Sequence, residues 1–265
     1  MKKITHKRLN QYLKELRLPT FQKSYSQQAD LARQESFSFE EYLMDLVELE
    51  LEARRENRIA RYLRTSRIPL EKTLTTFDRK RLPQKVNAQI SALIDGSFIS
   101  RSENILAFGN PGSGKTHLLC ALGQELIQQG YRVLFKPCSL LVQELLVAKR
   151  DLKLQQYLKK IAKHDALIID DIGYVQQSRQ EMEVLFTLLA DRYERTSIMI
   201  TSNLAFSQWE KIFKDPMTTA AAIDRLVHHS VILELNLTSY RLEQSKKNIK
   251  TTVKKSSKQL SEQPA

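Results

Sequence analysis

The 265-residue sequence has little cysteine, little glycine and no long apolar run. Its two cysteines, Cys120 and Cys138, are too few and too far apart for a zinc motif or a disulfide framework, which fits a reducing compartment. No apolar run approaches the roughly 20 residues that a membrane-spanning helix needs. The basic N-terminus lacks the apolar core and cleavage site of a signal peptide. These absences predict a cytoplasmic protein without a membrane partner.

Positive charge, by contrast, is abundant. The chain carries 42 Lys and Arg against 30 Asp and Glu, a net charge of +12 with a pI near 9.6. The basic residues concentrate in the stretch 54–81 and in a Ser-, Lys- and Gln-rich tail, 246–265, which is expected to be disordered. A solvated helix face would explain either segment alone. Two such segments flanking one core favour nucleic acid as a partner.

The order of apolar patterns predicts the domain organisation. Residues 1–67 follow helical spacing and form a small all-α module, in which Ser38 is a predicted N-cap and Pro69 a stop signal. A basic linker and lead-in helix, 68–100, follow. Within 101–245, five short runs rich in branched residues alternate with helical stretches, which predicts an α/β domain with a parallel sheet. These runs are 104–109, 131–135, 166–172, 197–203 and 231–235.

Three of the seven glycines lie within six residues, in a stretch that reads GNPGSGKT from Gly109 to Thr116. This stretch matches G-x-x-x-x-G-K-[ST] and lies between a predicted strand and a predicted helix, the context of a P-loop. In such a loop the backbone N–H groups surround the phosphate oxygens. The residues predicted to bind the nucleotide in this way are Gly109, Asn110, Pro111, Gly112, Ser113 and Gly114, of which Pro111 has no N–H to donate. We expect Lys115 to contact the β- and γ-phosphates and the Thr116 hydroxyl to bind Mg²⁺.

Polar residues follow two other predicted strands. Asp170 and Asp171 close the third strand, at the edge of the sheet where ligands bind in such folds. Asp170 is predicted to hold the Mg²⁺ shell, and Asp171 to polarise an attacking water. Many ATPases have Glu at the second position, so the shorter Asp leaves the base role less certain. Asn203 closes the fourth strand, where its amide would orient that water, although Asn in this position is often only a turn residue.

Other candidate residues carry weaker signals. Arg225 and Arg241 suit the negative charge that develops on a transferring phosphoryl group, but spacing alone does not separate them from surface arginines. His228 and His229 are interpreted as structural or exposed, since no ligand spacing supports metal catalysis. The single tryptophan, Trp209, is interpreted as a packing residue.

Taken together, these segments resemble the IstB-like ATP-binding proteins, which are AAA+ helpers of bacterial insertion-sequence transposases and relatives of the DnaC helicase loaders. The resemblance covers almost the whole chain and rests on the segments GNPGSGKTHLL, ALIIDDIGY, IMITSNLAFSQW and AAAIDRLVHHSVILELNLTSYR. It implies a P-loop NTPase sheet of order 5-1-4-3-2 flanked by helices, with Asn203's strand between those of the P-loop and Asp170.

The resemblance also implies roles for individual residues. Lys115 and Thr116 match the Walker A pair, Asp170 and Asp171 the Walker B pair, and Asn203 sensor 1. Arg225 matches an arginine finger that reaches a neighbouring subunit's ATP, and Arg241 matches sensor 2. A protein of this kind is expected to hydrolyse ATP with Mg²⁺ in the bacterial cytoplasm, to self-assemble on duplex DNA and to engage an IstA-like transposase. The lysine-rich tail is less typical of the family.

Three alternatives stay open at this point. A helicase loader shares the ATPase core and differs in the partner of its N-terminal module. A P-loop kinase of a small substrate would need an acceptor pocket and a lid, and the basic arms do not favour it. A DNA-binding scaffold with ATP as a structural ligand is disfavoured by the intact Asp170 and Asp171 pair.

Overall fold

A computed structural model of the chain describes residues 2–173, 178–209 and 216–240. It divides into two compact units, residues 1–62 and 63–265. No helix within the described residues is both long enough and apolar enough to cross a bilayer.

The first unit is helical. Helices α1 (Lys2–Glu15), α2 (Pro19–Glu35) and α3 (Phe39–Ser66) follow one another, and the last turn of α3 belongs to the second unit. Ser38 caps α3 as predicted: its backbone N donates to Glu41 Oε2 at 2.7 Å and its Oγ accepts from Glu41 N at 3.2 Å. Pro19 is the first residue of α2, a position where the missing N–H costs nothing because the first turn of a helix does not use it.

The second unit is an α/β domain whose elements alternate along the chain. Its strands are β1 (Asn104–Gly109), β2 (Val133–Pro137), β3 (Ala166–Asp170), β4 (Ser197–Ser202) and β5 (Ser230–Leu235). Its helices are α4 (Gln84–Leu93), α5 (Ser97–Ser100), α6 (Lys115–Gln128), α7 (Cys138–Arg150), α8 (Leu154–Ile161), α9 (Arg179–Arg192) and α10 (Pro216–Val227).

The five strands form one parallel sheet of order β2-β3-β4-β1-β5. From the opposite edge this order is 5-1-4-3-2, so the expected fold is confirmed, including the position of β4 between β1 and β3. Strand β4 is buried along its whole length, and the first four residues of β1 and of β3 are buried, because helices cover both faces of the sheet. Trp209 is fully buried beside Phe108 and donates from Nε1 to the Leu204 carbonyl at 3.1 Å, which confirms its packing role.

Five strand boundaries differ from the sequence prediction by one or two residues, and two of these differences have a clear local cause. Strand β2 begins at Val133 rather than at 131, because Tyr131 N still donates to the Leu126 carbonyl at 3.0 Å in the turn that ends α6. Strand β3 ends at Asp170 rather than at 172, because Asp171 has a φ of +65°, which is not extended backbone. That early end places Asp171 in a turn at the carboxyl edge of the sheet, beside the P-loop.

Candidate nucleotide site

The P-loop joins the end of β1 to the first residue of α6, and its glycines are required sterically. At Gly109 (φ +151°) a Cβ would lie 2.2 Å from the Leu235 carbonyl oxygen. At Gly112 (φ +79°) it would lie 2.2 Å from Ser239 Oγ. The loop therefore packs directly against the segment that follows β5, and Tyr240 N donates to the Gly112 carbonyl at 3.0 Å.

Lys115 is buried in the loop with only 6% of its surface exposed. Its Nζ donates to the carbonyls of Gly109 at 2.7 Å and Asn110 at 2.9 Å, and to Asn203 Oδ1 at 2.7 Å. These three acceptors are neutral, and the Asp171 carboxylate also acts on the ammonium group. A phosphate oxygen would supply the negative charge that these partners lack.

Thr116 and Asp170 meet beneath the loop, where Thr116 Oγ1 donates to Asp170 Oδ1 at 2.7 Å. Thr201 of β4 donates to the same oxygen at 2.8 Å. Hydroxyl and carboxylate oxygens in this arrangement are the donors that Mg²⁺ prefers. The residues present therefore fit a magnesium ion held by Thr116 and Asp170.

Asp171 is held in an unusual backbone conformation. A φ of +65° is left-handed, a region that Asp tolerates better than most residues. Its backbone N donates to Thr201 Oγ1 at 2.7 Å, and Ile172 N donates to the Thr201 carbonyl at 3.1 Å. Burial of the Asp171 carboxyl raises its pKa, and the nearby Asp170 carboxylate raises it further, while Lys115 opposes the change. A raised pKa suits a group that takes up a proton.

Asn203 connects the two charged parts of the site. Its Oδ1 accepts from Lys115 Nζ, and its Nδ2 donates to Asp171 Oδ1 at 3.0 Å. The amide is thereby fixed between the P-loop lysine and the candidate base. The sequence placed these three residues on separate segments, and the sheet order brings them into one hydrogen-bonded chain.

Thr201 is a functional candidate that the sequence analysis did not identify. It lies near the carboxyl end of β4 and is 1% exposed. Its hydroxyl accepts from the Asp171 backbone N and donates to the Asp170 carboxylate. The sequence shows a hydroxyl residue on β4, but only the register between β3 and β4 shows that this hydroxyl lies beside Asp170.

A cleft of about 480 Å³ opens over the P-loop. P-loop residues 111–116 line it together with Asp171, Thr201 and Asn203. Residues of the linker also line it, which was not predicted: Lys72, Thr76, Phe77, Asp78 and Arg81. Phe77 packs against the His117 ring with centroids 5.2 Å apart. The Phe77 and His117 rings, with the basic Lys72 and Arg81 side chains also lining the cleft, suit a flat heteroaromatic group attached to phosphates.

The Ser113 hydroxyl shows whether the P-loop residues fit a phosphate group. Ser113 Oγ is inaccessible to solvent and has no hydrogen-bond partner among the described residues. Unpaired buried hydroxyls are rare because each costs about 1–3 kcal/mol. A bound phosphate oxygen would accept from it, so the loop fits a nucleoside triphosphate.

The two predicted arginines lie elsewhere. Arg225 is in the last turn of α10 and is not among the residues that line the cleft. Its guanidinium lies 4.6 Å from the centre of the Phe186 ring, and its Nη1 is buried without a hydrogen-bond partner in the described part of the chain. Arg241 falls outside the described residues.

Known proteins resemble this chain over most of its length. The family model described as IstB-like ATP binding protein matches residues 11–248. An insertion sequence ATP-binding protein of Sinorhizobium fredii is 44% identical over 239 residues, which are 90% of this chain and 80% of that protein. The insertion sequence IS5376 ATP-binding protein of Geobacillus stearothermophilus is 37% identical over 90% of this chain and 95% of that protein.

Solved structures share the fold at lower identity. The crystal structure of DnaI superposes with a TM-score of 0.54 at 22% identity, covering 65% of this chain and 95% of that one. DnaA of Aquifex aeolicus bound to AMPPCP superposes with a TM-score of 0.53 at 18% identity, covering 70% of this chain and 56% of that one. At these identities the likeness concerns the fold alone, which is that of the AAA+ P-loop proteins.

Proposed function

The chain belongs to the family of IstB-like ATP-binding proteins, and we propose that it is an ATP-dependent helper of DNA transposition. In this proposal it binds and hydrolyses ATP, assembles on duplex DNA and recruits or activates a partner transposase at the target site. The observation that carries the proposal is the hydrogen-bonded chain Lys115–Asn203–Asp171 beneath an intact P-loop.

The proposed roles follow from these contacts. Lys115 exchanges its neutral acceptors for the β- and γ-phosphates of ATP, and the loop N–H groups bind the remaining oxygens. Thr116 and Asp170 hold Mg²⁺, which neutralises charge on the phosphates when it is bound. Once Lys115 turns to the phosphates, Asn203 is free to orient a water, and Asp171 accepts its proton. The raised pKa of Asp171 makes that acceptance more favourable.

We propose that Arg225 acts on the nucleotide of a neighbouring subunit. It does not reach its own cleft, and its buried Nη1 lacks an acceptor among the described residues. A subunit interface that placed an ATP γ-phosphate near the end of α10 would supply one, and an arginine there stabilises the transferring phosphoryl group. Arg241, from the segment after β5, is proposed to contact the phosphates in cis.

Duplex DNA is the proposed polyanionic partner. Part of the linker charge is used internally, since Arg79 donates to Asn87 and Ser91, and Arg81 donates to the Thr238 carbonyl at 3.0 Å. Other basic side chains are exposed and available for DNA phosphates. They lie on α8 and the turn after it, and in the basic stretch 54–81: Lys159, Lys160, Lys163, Arg55 and Arg58. Contacts of this kind are weakly sequence-specific and sensitive to salt.

Mixing two inactive variants tests the shared site. Asp171→Asn lacks the base but keeps Arg225, whereas Arg225→Ala lacks the arginine but keeps its own base. If the arginine acts in trans, a mixture with ATP and duplex DNA recovers part of the wild-type ATPase activity. A matched mixture of Asp171→Asn with Asn203→Ala recovers none, because both changes affect the same half of the site. Equal results from the two mixtures would refute the shared site.

The partner is tested separately with the full-length chain. Bound to duplex DNA with ATP, it should capture an IstA-like transposase and not a replicative helicase. Capture of the helicase alone would make it a loader. Phosphate transfer to a small acceptor would make it a kinase, and ATP binding without turnover would leave a scaffold.

A further inference from the structure

Three potential metal ligands meet at a corner of the second unit, in turns that lead into the amino ends of β4 and β5. They are Glu194, after α9, and His228 and His229, directly after α10. One ligand atom from each lies within 4.8 Å of the other two, and His229 Nε2 lies 3.8 Å from Glu194 Oε1. Among the described residues this is the one such group of three.

The backbone beneath the three side chains is held by hydrogen bonds. His228 N donates to the Asp224 carbonyl at 3.0 Å, and the His229 carbonyl accepts from Asn104 N at 2.7 Å. On the other turn, Thr196 N donates to the Arg192 carbonyl at 3.2 Å, which closes the loop around Glu194. Only side-chain torsions therefore remain to be fixed when a ligand binds, which lowers the entropic cost.

Several negative groups at this corner would attract a cation, and the opposing charge of Arg195 in the same turn is paired with Asp191 at 3.7 Å. Helices α9 and α10 both end at this corner, at Arg192 and Val227, and the carboxyl end of a helix carries partial negative charge. Glu194 adds a full negative charge. The hydroxyl of Tyr193 lies 3.2 Å from His228 Nδ1, a contact of the kind that orients a metal-binding imidazole.

We propose that Glu194, His228 and His229 form a binding site for a divalent transition ion of the Zn²⁺ class. Two imidazoles and one carboxylate are a zinc ligand set that leaves a fourth position for water. Mg²⁺ and Ca²⁺ are disfavoured because they prefer oxygen ligands. Two ligands about 2.1 Å from one tetrahedral ion are roughly 3.4 Å apart, so the 3.8 Å between His229 and Glu194 closes with a small rotation.

Such an ion ties the turn after α9 to the turn after α10. The two helices already pack together through Arg225 of α10 and Phe186 of α9. The ion would therefore fix the end of the helix that carries Arg225, without contacting the nucleotide cleft. This inference does not depend on the proposed function, because ion binding is measured on the protein alone.

Calorimetric titration of Zn²⁺ into the metal-free full-length chain, with excess Mg²⁺ to occupy the nucleotide site, tests the proposal. We expect one ion per chain, at least tenfold weaker binding in His229→Ala and in Glu194→Gln, and no change in His6→Ala. His6 is the matched control because it is an exposed imidazole on α1. Co²⁺ should give the visible spectrum of a tetrahedral site in the wild type and lose it in both site variants.

The isosteric Glu194→Gln keeps the test valid if His229→Ala fails to fold. Several weak ions per chain, or equal losses in His6→Ala and His229→Ala, would show an adventitious ion only and would overturn the proposal. Unchanged one-to-one binding in Glu194→Gln and His229→Ala would also overturn it, because the ion would then lie elsewhere.

Discussion

Replacing Lys115 with Met separates nucleotide binding from folding. Lys115 is one of two buried lysines among the described residues of the second unit, 6% exposed, and it donates hydrogen bonds to three neutral acceptors. Met keeps most of the aliphatic stem and removes the charge. Met loses these hydrogen bonds and the attraction between Lys115 and the Asp171 carboxylate, but it also removes a buried charge. These effects oppose one another, so we expect the folding stability to change little.

The effect on ATP is expected to be large. A hydrogen bond to a charged group contributes about 1.5–3 kcal/mol, and about 1.4 kcal/mol corresponds to a factor of ten. Loss of the contact between Lys115 and the phosphates should therefore weaken ATP binding about 10- to 150-fold. AMP, which lacks the β- and γ-phosphates, should bind wild type and Lys115→Met equally well.

The second buried lysine provides the control. Lys136 is 5% exposed and pairs with Glu144 at 2.5 Å, on β2 and away from the cleft. Lys136→Met leaves Glu144 without its main partner and should cost roughly 1–3 kcal/mol of stability, discounted because that carboxylate is partly exposed. Its ATP affinity should equal that of the wild type. Equilibrium binding of a fluorescent ATP analogue, beside urea unfolding, measures both. Equal ATP affinity in Lys115→Met and wild type, or equal losses in both variants, would refute the assignment of Lys115.

Three further predictions concern the same cleft. Asp171→Asn should bind ATP normally but hydrolyse it about 10²- to 10⁴-fold more slowly, because it lacks the general base. A near-normal rate in a single-turnover assay would exclude that role for Asp171. Because the pKa of Asp171 is raised in the folded protein, its ionised form destabilises the fold at neutral pH. This cost is relieved as the pH falls through the raised pKa towards 3.8, the ordinary pKa of the group. Without nucleotide, Asp171→Asn should then be more stable than wild type at pH 7, and the difference in urea unfolding should shrink on acidification; a constant difference would contradict the shift. Gly112→Ala places a Cβ 2.2 Å from Ser239 Oγ and should weaken ATP binding. The control Gly130→Ala, which also has a positive φ but lies after α6, should lower the folding stability only. Calorimetric titration with ATP distinguishes the two variants.

Local signals predicted much of the fold and of the P-loop. The Ser38 cap, the strand cores and the loop from Gly109 to Thr116 each depend on a few neighbouring residues, which a sequence displays directly. The order of the strands came from the family resemblance. It then explains why Asn203 lies beside Asp171, since β4 pairs with both β1 and β3.

Contacts between distant segments were not predictable in the same way. Thr201 looks like any strand residue until the register places its hydroxyl on Asp170. Phe77 lies in a linker with no periodic pattern, and only the fold brings its ring against His117. Glu194 and His229 are 35 positions apart along the chain, and they meet because two helices end at the same corner. In each case the missing information was tertiary.

The rate of ATP hydrolysis by the purified full-length chain, with and without duplex DNA, tests the central claim most directly. The account predicts Mg²⁺-dependent turnover that DNA stimulates, that rising salt suppresses as DNA dissociates, and that Asp171→Asn abolishes. The account would be contradicted if folded, metal-replete protein released no phosphate from ATP in either condition. It would also be contradicted if the Asp171→Asn variant released phosphate as fast as the wild type.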